Sequence, residues 1–211
     1  MSETYIVQQG DCLSSIAEAY GHFWKTVWNH PENAKLKAAR GSPDVLRAGD
    51  EVLVPELQLK QKPGATEKKH RFRRKGVPQR VVIQLKKDGE VLADQEYVLR
   101  IEDEYFSGRT DGQGRLSHPV PPTARAGCLT VGSGRTARTV LLRLGYVDPV
   151  SEISGLQGRL KNLGYDCGPA SGALTEETKA AVSAFQADHE LEVTGEADES
   201  TREKLRKEHG S

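Results

Sequence analysis

Residues 153–205 read ISGLQGRLKNLGYDCGPASGALTEETKAAVSAFQADHELEVTGEADESTREKL, and their periodicity decides the fold of the C-terminal part of the chain. After the break at Asp148-Pro149, Ile153, Leu156, Leu160 and Leu163 recur at helical spacing, and Gly164 stops the run. Thr175 is placed to N-cap a second helix with Glu176 and Glu177 in its first turn, where carboxylates favour the macrodipole. Ala180, Ala181, Ala184 and Phe185 are the expected buried stripe of that helix. A third helix is expected from about Glu199 to Lys207, with Leu205 inward. Three short helices over residues 148–211 make a small domain.

Upstream, residues 80–147 change to a period of two. Val81, Ile83 and Leu85 alternate, Asp88-Gly89 marks a hairpin turn, and Tyr97, Leu99 and Ile101 alternate again. TDGQGR at 110–115 is another turn, followed by PVPP and the strand-like CLTV and TVLLRL. Short strands with turns every 8 to 12 residues predict an antiparallel β-sandwich. Residues 57–79 lack an apolar face and carry eight cations, Lys60, Lys62, Lys68, Lys69, Arg71, Arg73, Arg74 and Lys75, against the single acid Glu67. They read as a basic linker.

The N-terminal segment, 1–56, begins with a strand at TYIVQ. Leu13, Ile16, Ala17 and Tyr20 then form a helical stripe that Asp11 is placed to cap. Phe23, Trp24, Val27 and Trp28 give a second helix, with two of its three aromatic rings expected in the core. HPENAKLKAARGSPD reads as a long polar connection, and a closing strand runs from Glu51 to Val54. The expected order is βααβ. The whole chain is thus a multi-domain α+β protein: βααβ module, basic linker, β-sandwich and helical domain.

Three stretches resemble known families. YIVQQGDCLSSIAEAYG, WKTVWN and LRAGDEVLVP resemble, in order, the start, middle and end of a LysM module. That resemblance implies binding of N-acetylglucosamine-containing glycan between the loop holding Gly10, Asp11, Cys12 and Leu13 and a second loop running roughly from Asn29 to Leu46. Cys12 stands where the family usually has threonine, and the second loop is long for a glycan-binding LysM. The C-terminal pattern LQ..L..LGY, T..AV..FQ and L.VTGE.D..T...L resembles the three-helix peptidoglycan-binding domain often appended to wall hydrolases. Ser171 and Gly172 fall where that family's DG-x-x-G loop is suspected of ligand contact. FSGRTDGQGRLSHPVPPTARAGCLTV resembles β-domains of accessory proteins of contractile injection systems, such as type VI secretion or phage-tail-like machines.

Composition excludes other classes. Thirty basic residues balance thirty acidic ones, so no global field steers the chain to nucleic acid or anionic lipid. No apolar run approaches the ~20 residues that span a bilayer, and no membrane insertion is expected. The six histidines are scattered, with neither HExxH nor GxSxG, so catalytic and metal-binding roles are set aside and no cofactor is expected. Gly132-Ser133-Gly134-Arg135-Thr136-Ala137 fits GxGxxA. The following RTVLLRL reads as a strand, however, which leaves the motif without its phosphate-facing helix N-terminus. Asp103 and Glu104 read as solvated charges on opposite faces of a strand. Cys12, Cys128 and Cys167 are odd in number and widely spaced, and read as small buried thiols rather than a disulfide framework.

The expected function is non-catalytic binding of peptidoglycan through two wall-binding modules. The alternative is an adaptor docking a tail-spike or baseplate protein. MSETYIVQQGD carries no secretory pattern, so synthesis in the cytoplasm and delivery to the periplasm or outside by an injection machine are expected.

Overall fold

The computed structural model describes residues 2–58, 63–70, 79–87 and 89–210. Lys60, Lys62, Arg71, Arg73, Arg74 and Lys75 of the basic linker, and Asp88 of the expected hairpin turn, lie outside the described residues. By packing, the chain divides into two compact units. One comprises Met1–Glu3, Ser14–Val27 and Val54–Leu144, the other Thr4–Leu13, Trp28–Leu53 and Gly145–Ser211.

Near the N-terminus, β1 (Glu3–Ile6) and β2 (Glu51–Val54) form a two-stranded sheet. Between them lie α1 (Leu13–Ala19), α2 (Trp24–Trp28), a 3-10 turn at Pro31–Asn33, and α3 (Ala34–Arg40). Leu13, Ile16 and Ala17 are buried as their spacing predicts, and so are Val27 and Trp28. Trp24 is half-buried and Phe23 is exposed. The expected polar connection at 30–44 is corrected, because most of it is helical. AKLKAAR buries no residue, so it shows no apolar stripe. Its Ala, Leu, Lys and Arg are strong helix formers, and Gly41, at φ 66°, closes it.

Polar side chains anchor this helix. Buried Asn33 donates its amide to the Leu53 carbonyl and accepts from the Leu53 N–H, both at 2.8 Å, as a neighbouring strand would. Arg40 grips Asp50 through two bonds of 2.7 and 2.6 Å. Burial pushes the Asp50 carboxyl up, but Arg40 and the Arg47 N–H outweigh it and hold it below its ordinary range.

The middle of the chain is antiparallel throughout. β6 (Glu96–Ile101), β7 (Glu104–Arg109), β9 (Ala126–Val131) and β10 (Arg138–Arg143) form one sheet in the order β10-β9-β6-β7. β3 (Gln79–Gln84) pairs with β8 (Arg115–Val120), and β4 (Lys86–Lys87) with β5 (Glu90–Val91). Tyr97, Leu99, Ile101 and Leu129 of the larger sheet share a core with Leu116 and, at its margin, Val81 and Ile83. Tyr97 also reaches His118 of β8 with its hydroxyl at 2.8 Å, and His118 stacks on Phe106. Asp103 lies in the turn between β6 and β7 and Glu104 opens β7, both exposed, which corrects their expected placement on opposite faces of one strand.

The C-terminal part folds as α4 (Ile153–Asn162), α5 (Glu176–Asp188) and α6 (Glu199–His209). Leu156, Leu160, Cys167, Ala181, Val182, Phe185 and Leu205 form its core. Thr175 caps α5 by accepting the Thr178 N–H, and Asp198 caps α6 by accepting the Thr201 N–H. The expected stripe on α5 holds at Ala181 and Phe185 and is corrected at the other two positions. Ala180 and Ala184 are exposed, and the buried row runs through Thr178, Ala181, Val182 and Phe185, at i, i+3, i+4 and i+7.

Helix α4 carries two glycines in different surroundings. A methyl group on Gly155 would overlap the backbone carbonyls of Pro149 and Asp148, whereas one on Gly158 would meet only Val147, at 3.8 Å. Gly155→Ala is expected to destabilise the protein by about 1–3 kcal/mol through overpacking. Gly158→Ala is expected to stabilise it by about 0.5–1 kcal/mol through helix propensity. Denaturant unfolding of both variants checks the pair.

Candidate glycan-binding site

Two irregular loops flank α5, and each is held from inside the domain by a buried glutamine. Gln157, on the row of α4 that carries Leu156 and Leu160, places its amide nitrogen 2.9 Å from both the Ala173 carbonyl and Thr178 Oγ1. Its amide oxygen accepts the Gly172 N–H at 3.0 Å. Gln186, next to Phe185 on α5, accepts the N–H groups of Thr194 and Gly195 at 3.0 and 2.9 Å. Its amide nitrogen lies within 3.0 Å of Thr194 Oγ1, the Glu196 carbonyl and Thr201 Oγ1, sharing two protons among three acceptors.

The first loop is thereby almost self-contained. Gly168 N–H donates to Asp166, Ser171 N–H to the Pro169 carbonyl, and Ala173 N–H to Ser171 Oγ. Ser171 and Gly172 are exposed, but Gly172 spends its N–H on Gln157 and Ser171 its hydroxyl oxygen on Ala173. Outward, the two loops present Leu174 and Val193, at 46% and 58% exposure, beside exposed polar and acidic residues that include Asp166, Glu192 and Glu196. Sugar rings present apolar faces to side chains such as Leu174 and Val193.

Beneath the loops, Arg159 is 1% exposed and donates to the carbonyls of Asp148 and Gly155 at 2.7 and 2.9 Å. Burial pushes its guanidinium down to about 10 against the pull of Asp148, with Arg206 adding to the fall. Tyr165 packs edge-on against Phe185 and donates to Asp188 at 2.9 Å, and burial with Asp188 pushes its hydroxyl up to about 12. A cleft of about 100 Å³ lies between Val150, Ser151, Glu199, Arg202, Glu203 and Arg206.

Near the N-terminus the expected site residues are placed differently. Gly10, Cys12 and Leu13 are buried, Cys12 and Leu13 at 7% and 0% exposure. Leu13 N–H donates to the Pro43 carbonyl, and a methyl group on Gly145 would stand 2.6 Å from the Gly10 carbonyl. Asp11 accepts from the Tyr5 hydroxyl and the Gln8 N–H. Asn29 is exposed and accepts from Lys37 Nζ at 2.7 Å. Of the five residues proposed around this groove, Gly10, Cys12 and Leu13 therefore serve the scaffold, and Asn29 alone lies fully on the surface.

Among the described residues no group of three or more His, Cys, Asp or Glu side chains converges to hold a metal ion. No disulfide joins Cys12, Cys128 and Cys167, and Cys128 is half-buried rather than buried. The GxGxxA stretch forms a 3-10 turn, Gly134–Thr136, that leads into β10.

Residues 149–205 match a family model described as a putative peptidoglycan binding domain. The match spans α4, both pinned loops and most of α6, and supports peptidoglycan binding by this segment. No curated protein and no solved structure is significantly similar to the chain.

Two outcomes follow from this geometry. Gln157→Leu removes the partner of the Gly172 N–H, and hydrogen exchange at Gly172 is expected to accelerate while α5 and α6 stay protected; unchanged exchange there would show that the loop holds itself. His209, which accepts from the Asn162 amide at 3.0 Å, is pushed by burial and then by Arg159 from 6.5 down to about 4. Folding favours its neutral form, so its contribution is fully present above pH 6.5 and is lost as pH falls toward 4. Thermal melts across that window should decline less steeply for His209→Gln than for the parent protein.

Proposed function

We propose that this chain is a non-catalytic wall-binding protein that attaches to peptidoglycan through residues 149–205, with the loops around Leu174 and Val193 as the contact surface. The family match carries this reading. Preorganisation supports it: both loops are already fixed by Gln157 and Gln186, so binding costs little further ordering of the backbone. Glycan contacts of this kind are individually weak and gain from repetition along a dense polymer.

The LysM-like segment, residues 4–55, is the proposed second module for N-acetylglucosamine-containing glycan. A second reading has its own observation. Burial of Gly10, Cys12 and Leu13 takes three of the groove residues out of reach, which favours use of this segment for protein docking, as in an adaptor of a contractile injection system.

Co-sedimentation with purified peptidoglycan sacculi separates the two. The full chain is expected to pellet with sacculi at both low and physiological salt, and Leu174→Glu is expected to weaken pelleting by about tenfold. Residual pelleting of that variant, lost on Asn29→Ala, would mark a second glycan module; complete loss in Leu174→Glu alone would favour docking. Recovery of all parent protein in the supernatant at both salt concentrations overturns peptidoglycan binding.

A further inference from the structure

The larger β-sheet ends on one side in a strand that nothing among the described residues covers. β10 pairs with β9 from Arg138↔Val131 to Arg143↔Ala126 and has no second neighbour in the sheet order. Leu144 N–H donates to the Arg125 carbonyl, which fixes the phase of the ladder. Counting back in steps of two, Leu142, Val140 and Arg138 bond to β9. Thr139, Leu141 and Arg143 therefore direct their N–H and C=O groups away from the sheet.

The side chains along this edge are as open as its backbone. Leu141 is 80% exposed on the outer face. Val140 is on the core-facing side, since it lies opposite Leu129, yet it is 53% exposed, so the core is unroofed at this edge. Sheet edges are usually blunted by a charge, a proline or a bulge within the strand. β10 has none between its terminal arginines; it reads Arg-Thr-Val-Leu-Leu-Arg in continuous register. The opposite edge shows the contrast, for Arg109 of β7 is neutralised by Asp94 and Glu96 at 2.6 and 2.9 Å.

Charge decides what fits. Residues 112–147 contain five arginines and no aspartate or glutamate. A second copy of β10, or the chain's own basic stretch at 68–75, would bring a strand of the same sign to this acid-free edge, where like charges repel.

We propose that the β10 edge is a strand-addition site for an extended segment of a partner protein with apolar, β-branched residues at its centre and acidic residues flanking them. Backbone bonds to Thr139, Leu141 and Arg143 supply affinity, Val140 and Leu141 receive alternate side chains on the two faces, and Arg138 and Arg143 select the acidic flanks. This site is separate from the wall-binding loops and does not depend on the glycan reading.

A fluorescein-labelled synthetic peptide of alternating valine and threonine with glutamates at both ends tests the site on the full chain by anisotropy. The peptide is expected to bind and to protect the amides of Thr139, Leu141 and Arg143 from hydrogen exchange. Leu141→Pro removes only an outward-facing N–H and leaves the β9 ladder intact. That variant, and the double variant Arg138→Glu, Arg143→Glu, are each expected to weaken binding at least about tenfold. Circular dichroism of both variants confirms that the sheet is retained, and His118→Gln, at a distance from the edge, serves as a control for general destabilisation. Absence of binding overturns the proposal, as does equal binding of a lysine-flanked peptide or binding that Leu141→Pro leaves unchanged. Concentration-dependent dimerisation abolished by Leu141→Pro would replace the partner with a second copy. Binding of heparin but not of the peptide would assign the arginines to a polyanion instead.

Discussion

Gln157 and Gln186 supply, from within two helices, the hydrogen bonds that two irregular loops do not form for themselves. Each sits beside core leucine or phenylalanine side chains, where a polar group is tolerated only if nearly every donor and acceptor is matched. The matching is close to complete: Gln157 joins Gly172, Ala173 and Thr178, and Gln186 joins Thr194, Gly195, Glu196 and Thr201. A domain of about 60 residues is stable by only about 3–9 kcal/mol. One orphaned buried N–H costs about 1–3 kcal/mol. Each amide therefore carries a sizeable share of that margin, and the loop surface beyond them inherits its rigidity from them.

The β-region answers the same problem of a small core with different chemistry. Tyr97 and His118 tie the four-stranded sheet to the β3–β8 pair through one hydrogen bond and a stacked ring, beside the apolar core that the two share. Burial, and then Arg80, depress the His118 imidazole, which favours the neutral ring in this bond and in stacking on Phe106. At its margins the sheet is unequal. β7 ends in an ion-paired arginine, while β10 ends in arginines facing no acid among the described residues.

Much of this was legible in the sequence wherever side chains obey a period. The strands at Val81–Leu85 and Tyr97–Ile101, the α5 cap at Thr175 and the inward Leu205 all follow from spacing and capping rules. On α5 the spacing finds Ala181 and Phe185 but not Val182, because alanine is compatible with either face and Ala180 and Ala184 carry no information that Val182 does not carry better. Helix α3 escaped because it buries nothing; its signal lay in propensity and in Gly41, not in hydrophobic spacing. Ser171 and Gly172 were correctly surface residues, but that Gly172 would spend its N–H on a side chain fifteen positions away is a tertiary fact. The same holds for Gly10 and Gly145. Their close approach depends on packing that no local pattern encodes. The glutamines left a faint trace, as amides standing in rows otherwise occupied by Leu and Phe.

The two surfaces proposed for this chain differ in the physics that governs them, and this keeps them from competing. Leu174 and Val193 offer apolar contact to neutral sugar faces, an interaction that added salt leaves nearly intact or strengthens. Arg138 and Arg143 attract acidic flanks across exposed distances, an attraction that falls once ions screen it over the ~8 Å Debye length of physiological salt. Backbone pairing at Thr139, Leu141 and Arg143 has no charge to screen and sets a floor beneath that loss. An anionic wall polymer would draw on the arginines but has no strand to pair, and an acidic strand would pair with β10 but offers no ring to Leu174. In the roles proposed, each surface would thus disfavour the other's ligand by what it lacks.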